Sequence, residues 1–513
     1  MLFNSLEFLI FFPFAVSLFY FIPHKSRWLF LLAASFFFYH HLNFNFLILL
    51  VISTLIDYFL ALEIGKKQKP IKRRILVAGI LNNLFILTVF KYFFFFTSNL
   101  NTFFGKLGTG FHIPAIRFLL PIGISYYTFK KISYLVDVYR GEIQPEAHVG
   151  RFMLYTAFFP SLLAGPIDRA GKLLPQFKQR HGFDFLRVQD GLIQMLWGFF
   201  KKLVIADNLA PFVDRVYAQP HHYEGIHFIL ATLFFSIRIY CDFSAYSDIA
   251  IGSARVMGFN LTNNFDRPYH AVSISDFWKR WHISFSTWLR DYLFLPISYS
   301  VSRKIKSDKL CGFRADKWAY FSGIMATMLI CGLWHGANWT FVIWGGLHGL
   351  YIFLSFITRK TRNKIRKKLK IKKSSPVHKA FTIFATFGFV SFAWIFFKAK
   401  TVSDAYYIIS NLFSGLPHFF RNAFSFLTTL NMETLADFLS NNTMGITYFH
   451  LIFVILAVLF MEICEIRQGK EANIVEAIRT RPAWIRWPFY YALIFGILIF
   501  SRFEVQKFIY MQF

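Results

Sequence analysis

WAYFSGIMATMLICGLWHGANWTFVIWGGLHGLY, residues Trp318–Tyr351, decides the fold. WHGANW (Trp334–Trp339) stands at its middle, and apolar residues fill the flanks Ala319–Leu333 and Thr340–Ile357. Each flank approaches the roughly 20 residues that cross a bilayer core. His335 therefore lies between two spans. An imidazole near hydrocarbon is costly without a partner, which makes it a functional candidate by default. A second Trp-His pair, Trp281-His282, sits in a charge-rich segment between other apolar runs. The expectation is a membrane cavity built around these two histidines.

Composition points the same way. Of 513 residues, 56% are hydrophobic and only 16% charged, and Phe alone contributes 70. Apolar runs of span length recur from end to end, so the chain reads as one all-α polytopic membrane domain over residues 1–513. About 11 transmembrane helices are expected, with re-entrant or interfacial helices besides. Residues 1–115 hold the N-terminal spans, 116–357 the catalytic core, 358–379 a basic loop and 380–513 the C-terminal spans. MLFNSLEFLIFF lacks a basic n-region and a small-residue cleavage site, and reads as a retained first span.

The net charge of +29 does not point to nucleic acid, because its placement is local. Basic residues crowd the short loops Lys66–Arg74, Arg303–Lys317 and Arg359–Lys373, the last carrying ten Lys or Arg and no acid. Loops of this kind face the cytoplasm and can touch anionic headgroups. With the basic turn His24–Arg27 also inside, an external N-terminus is expected. The four cysteines show no CxxC or paired spacing, so neither a disulfide framework nor a structural zinc site is expected.

The middle of the chain is less regular. Leu119–Glu142 is apolar yet holds Pro121, Lys130, Lys131 and Asp137, and LLAGPIDR breaks at Gly165-Pro166. Irregular backbone at membrane depth is tolerated where protein buries it or where it lines a wet cavity. Phe228–Met257 carries Arg238, Asp242, Asp248 and Arg255, the two acids reading as partners for nearby Lys or Arg. In Asn264–Ile297, Ser275 is the expected N-cap of a helix presenting Trp278, Trp281, Phe285 and Trp288 on one face, with His282 beside Trp278. Its charges suit an interfacial or re-entrant helix. Asp404–Asn442 reads as a loop with short helices. No repeat recurs at fixed period, which weakens a transporter reading.

His335 can be read two ways, as a hydrogen-bonded packing residue or as a general base that takes a hydroxyl proton. Asn338, the Trp339 indole and His282 are candidates to donate to or position a reacting carbonyl. His348, thirteen residues on, reads as a packing residue or as one that supports the site from behind. Cys331 and His335, at i and i+4, offer too few ligands for a metal, and none is expected.

These same stretches resemble the membrane-bound O-acyltransferase superfamily, most closely its bacterial alginate O-acetyltransferase-like branch. The matching motifs are SYLVDVYRG (Ser133–Gly141), AGPIDRAGKLLPQF (Ala164–Phe177), YCDFSAYSDIAIGSARVMGF (Tyr240–Phe259), NFDRPYHAVSISDFWKRWHISFSTWLRDYLFLPI (Asn264–Ile297), GLWHGANWTFVIWGGLHG (Gly332–Gly349) and FIYMQF (Phe508–Phe513). They follow the family's order over nearly the whole length, with Met511 where Phe is commoner. The resemblance implies a multi-span bowl with a central tunnel, His335 as the catalytic residue, His282 as its companion, and Trp281 and Trp334 as tunnel walls. It also implies a multi-pass protein of the bacterial cytoplasmic membrane that holds no permanent cofactor. The donor would be acetyl-CoA or an acyl-carrier thioester, with a cytoplasmic donor protein as one source. The acceptor would be an extracellular polysaccharide hydroxyl, reached directly or through a periplasmic or extracellular esterase-like partner. Teichoic-acid D-alanylation proteins share the fold and both histidines, so acetyl over D-alanyl stays open, as does a non-enzymatic role in polymer export.

Overall fold

The computed structural model describes residues 1–305, 309–310, 313–417, 421, 448–468, 474–501, 506 and 508–509. Most of the loop expected over Asp404–Asn442, and all of FIYMQF except Phe508 and Ile509, lie outside them. Among the described residues the chain is helical apart from a two-stranded ladder pairing Lys309–Leu310 with Phe313–Arg314.

Among the described residues, seven helices are long and apolar enough to cross a membrane: Phe44–Lys66, Ile71–Lys106, Ile226–Val256, Trp339–Ile357, Pro376–Lys398, Phe449–Gln468 and Ala483–Phe500. Other expected spans are shorter or more polar. Leu6–Phe21 has 16 residues, and Ala315–His335 has 21 but opens with Asp316 and Lys317. Boundaries follow local chemistry. Ser5 accepts from the Phe8 amide at 3.4 Å, and Asn43 caps the next-but-one helix through the Asn45 amide at 2.8 Å.

The chain divides into two compact units, residues 1–195 with 246–263, and 196–245 with 264–509. In the first, Phe44–Lys66, Ile71–Leu87 and Ile124–Arg140 pack together around buried charge. Lys131 Nζ meets Asp57 Oδ2 at 3.1 Å, both side chains almost wholly buried. Asn83 Nδ2 donates to both Asp57 oxygens, at 2.8 and 2.9 Å. Lys130 Nζ donates to Ser161 Oγ at 2.8 Å, which ties the same helix to the segment before Gly165-Pro166. The polar residues of Leu119–Glu142 are thus paired inside protein, as their expense in an apolar helix demands. Asp248 accepts from Gln194 Nε2 at 3.1 Å.

In the second unit the closest helix pair is the hairpin of Ala315–His335 and Trp339–Ile357. Small residues let the two backbones touch. A Cβ built on Gly345 would collide with the Met328 carbonyl oxygen, and one on Gly332 with that of Phe341. By contrast, a Cβ on Gly346 would find its nearest neighbour, Leu329 Cδ2, at 3.5 Å. Gly345→Val is expected to cost about 3 kcal/mol, the upper range for overpacking, because backbone cannot step aside. Gly346→Ala is expected to be near neutral. Thermal denaturation of the two detergent-solubilised variants checks the contrast.

Lys202 and its neighbours make a further buried network in this unit. Lys202 Nζ lies 2.7 Å from Asp207 Oδ1 and 2.8 Å from Asp242 Oδ1, and Asp242 Oδ2 accepts from the Ile509 amide at 2.7 Å. Asp242 therefore has the lysine partner expected of it.

Candidate functional site

His335 is the last residue of its helix and is buried. The hairpin turns directly after it. Gly336 is extended, so its backbone would suit any residue, but a Cβ there would strike the Phe341 ring. Asn338 closes the turn as N-cap of Trp339–Ile357, accepting from the Thr340 amide at 3.2 Å and donating to the Lys400 carbonyl at 2.8 Å. Its amide is committed to shaping the turn. Trp339 is half exposed beside it.

His282 reaches the site by a break that the sequence did not signal. Instead of one helix capped by Ser275, two short helices occur, Ile274–Arg280 and Ile283–Leu289, with Ser273 capping the first through the Asp276 amide at 3.2 Å. Between them His282 takes a left-handed backbone, φ 44° and ψ 55°. That conformation is uncommon outside Gly, although Asn, Asp and His adopt it more often than other residues. Asn264 holds the break: its carbonyl accepts from the Ile283 amide at 2.9 Å, and its Oδ1 from the Ser284 amide and hydroxyl at 3.2 and 2.7 Å. The break also rotates the two halves apart. Trp278 consequently contacts His348 and Trp344, while His282 faces Phe243 and Phe285. The expected neighbourhood of His282 and Trp278 is corrected accordingly.

Aromatic rings join the two histidines. Phe285 lies 5.0 Å from His282 and 6.1 Å from His335 between ring centroids, and Trp334 lies 6.2 Å from His282 and 4.7 Å from His335. Trp281 stacks on Phe277 at 5.4 Å and leans on Trp394, forming the adjoining wall. The two histidines therefore sit in a ring-lined interior largely shielded from water, where a polar interaction is worth more than at a surface.

His348 belongs to the same cluster. The Trp344 ring lies 5.0 Å from both His335 and His348. The indole Nε1 of Trp278 donates to His348 Nδ1 at 3.2 Å. That places the proton of the neutral ring on Nε2; neither this atom nor the buried Trp344 Nε1 makes a hydrogen bond among the described residues. These are two buried donors near His335. Sequence spacing alone did not bring them to His335, because their approach depends on how the two helices pack after the turn at Gly336. Asn264 was equally unflagged, although it opens the quoted segment.

Cys331 is buried at i−4 from His335, and the pair gathers no third metal-capable side chain among the described residues.

Comparison with known proteins supplies the family. The model of the membrane-bound O-acyltransferase family matches residues 80–397. A "probable alginate O-acetylase" of Azotobacter vinelandii is 36% identical over 418 residues, covering 81% of this chain and 78% of its own. A peptidoglycan O-acetyltransferase of Helicobacter pylori is 33% identical over 438 residues, 79% of this chain and 77% of its own. A teichoic acid D-alanyltransferase of Streptococcus thermophilus is 28% identical over 289 residues, 54% and 68% of the two chains. Matched by the family model over most of its length, and rich in apolar spans, this multi-pass membrane protein belongs to the membrane-bound O-acyltransferase family and is an O-acyltransferase.

Proposed function

We propose that the chain moves an acetyl group from a cytoplasmic thioester, acetyl-CoA or an acyl-carrier thioester, to a hydroxyl of an extracellular polysaccharide. The observation that carries the reading is the meeting of His335, His282 and His348 in one buried aromatic chamber, in a relative of two O-acetyl-transferring proteins. In the proposed step, His335 accepts the hydroxyl proton as the oxygen attacks the acyl carbon. The new C–O bond forms, the C–S bond breaks, and the proton passes to the leaving thiolate. Trp344 Nε1 and His348 Nε2 are the donors proposed for the developing oxyanion. His282, with Trp281 and Trp334, shapes the passage, while Asn338 and Trp339 fix its rim. The basic segment Arg359–Lys373, expected on the cytoplasmic side of the bacterial inner membrane, sets the topology, and its charge would also attract an anionic donor. The final hand-over runs directly or through a separate esterase-like partner.

D-Alanyl transfer is the second reading, favoured by the Streptococcus thermophilus relative. Proteoliposomes supplied with radiolabelled acetyl-CoA or with a labelled D-alanyl carrier thioester separate the two. Label entering an O-ester from acetyl-CoA alone supports acetyl transfer, and label from the D-alanyl donor alone replaces it. Cells lacking the chain are expected to export normal amounts of unesterified polymer, whereas lost polymer would favour an export role.

A further inference from the structure

The same unit gathers a second set of chemistry-bearing side chains. His270 ends the short 3-10 turn Pro268–His270, just ahead of the helix Ile274–Arg280 that leads to Trp281-His282. Glu462 and Glu465 stand three apart on Tyr448–Gln468 and so share a helical face near its C-terminal end. The ligand-capable atoms of the three residues all lie within 4.8 Å of one another. His270 Nε2 is already 3.0 Å from Glu462 Oε2.

We propose that His270, Glu462 and Glu465 form a binding site for a divalent transition-metal ion, separate from the histidine chamber. The donor set is one imidazole and two carboxylates, which suits zinc or manganese rather than a magnesium site built from oxygen alone. Zinc–ligand bonds of about 2.0–2.2 Å require the ligand atoms to sit some 3–4 Å apart, within a small side-chain adjustment of the observed spacing. Glu465 is buried, and its Oε1 accepts a 2.5 Å hydrogen bond from Tyr240 OH. Such an outer partner orients a ligating carboxylate. Tyr269 OH is likewise anchored, donating to the Ser236 carbonyl at 2.5 Å, so the turn carrying His270 is held in place. His270 and Glu462 are 32% and 34% exposed, which leaves an entry path and an open coordination position. Both glutamates lie in the last two turns of their helix. Bound metal would tie that span to the segment positioning His282. No local sequence pattern marks this cluster, because His270 and Glu462 are 192 residues apart.

The test uses the full chain in detergent, purified on a histidine-free tag, stripped with chelator and titrated with ZnCl2, MnCl2 or MgCl2. Metal content by mass spectrometry and the thermal midpoint are read together. One equivalent of zinc or manganese, with a raised midpoint and no response to magnesium, is expected. Glu462→Gln, on a half-exposed residue that should fold, is expected to abolish stoichiometric binding, and Cys331→Ser to leave it intact. Tyr240→Phe is expected to weaken affinity about 10- to 100-fold. Full-strength binding in Glu462→Gln, or binding lost in Cys331→Ser, overturns the proposal. So does wild-type protein that takes up no metal, in which case the cluster is a hydrogen-bonded proton site. None of these readouts depends on acyl transfer.

Discussion

His335→Ala is expected to lower acyl transfer by about 10²–10⁴-fold, the range that a positioned general base contributes, while membrane insertion and polymer yield stay unchanged. The residue is well placed for such a separation of effects. It ends a helix rather than sitting within it, and its turn is shaped by Gly336 and Asn338, not by the imidazole. Its surroundings are rings from Trp334, Trp344, Phe285 and Phe397, which form a rigid wall whether or not the imidazole is present. The measurement is ester content per unit of surface polymer, with the variant's membrane level determined in parallel. Ester content equal to wild type would return His335 to a packing role and shift the proton-accepting task to His282 or His348.

Asp57→Ala carries the largest expected effect on stability. It would leave the Lys131 ammonium buried with its carboxylate gone and strip Asn83 of both Asp57 contacts. Removing one member of a buried ion pair costs about 3–5 kcal/mol, because the remaining charge cannot regain water. Replacing both partners with apolar residues, Asp57→Leu with Lys131→Met, is expected to restore most of that loss. The thermal midpoints of the single and double variants decide the matter. Equal losses in both would show that the pair acts through more than its charge.

The spans and the hairpin were legible because hydrophobic length and small-residue content are local properties. Trp318–Tyr351 announces two apolar helices around WHGANW, and Ala315–His335 with Trp339–Ile357 is that arrangement. The apolar run Phe228–Met257 likewise became a helix, Ile226–Val256, within two residues of its expected bounds. What stayed hidden depends on distant partners. Trp278, Trp281, Phe285 and Trp288 have helical spacing, yet the helix breaks at Trp281-His282 with neither Gly nor Pro to mark it. The cause is Asn264, which supplies the hydrogen bonds that the interrupted helix gives up. His348 joined the chamber because the chain doubles back at Gly336. The Lys131–Asp57 pair was equally invisible, since neither residue reveals its partner without the packing of three helices.

The left-handed backbone at His282 has a consequence for how its role can be dissected. Position 282 is subject to two separate selections, one on chain geometry and one on side-chain chemistry. A branched or bulky replacement fails the first before the second is ever tested. Alanine mixes the two as well, since it pays the left-handed strain that histidine also bears. Asparagine and glycine accept that geometry, so they are the informative substitutions. In a saturation library, sorting for folded protein is expected to enrich Asn and Gly at this site, while sorting for ester formation is expected to return His. A library in which both sorts converge on the same residues would mean that His282 is kept for its backbone alone.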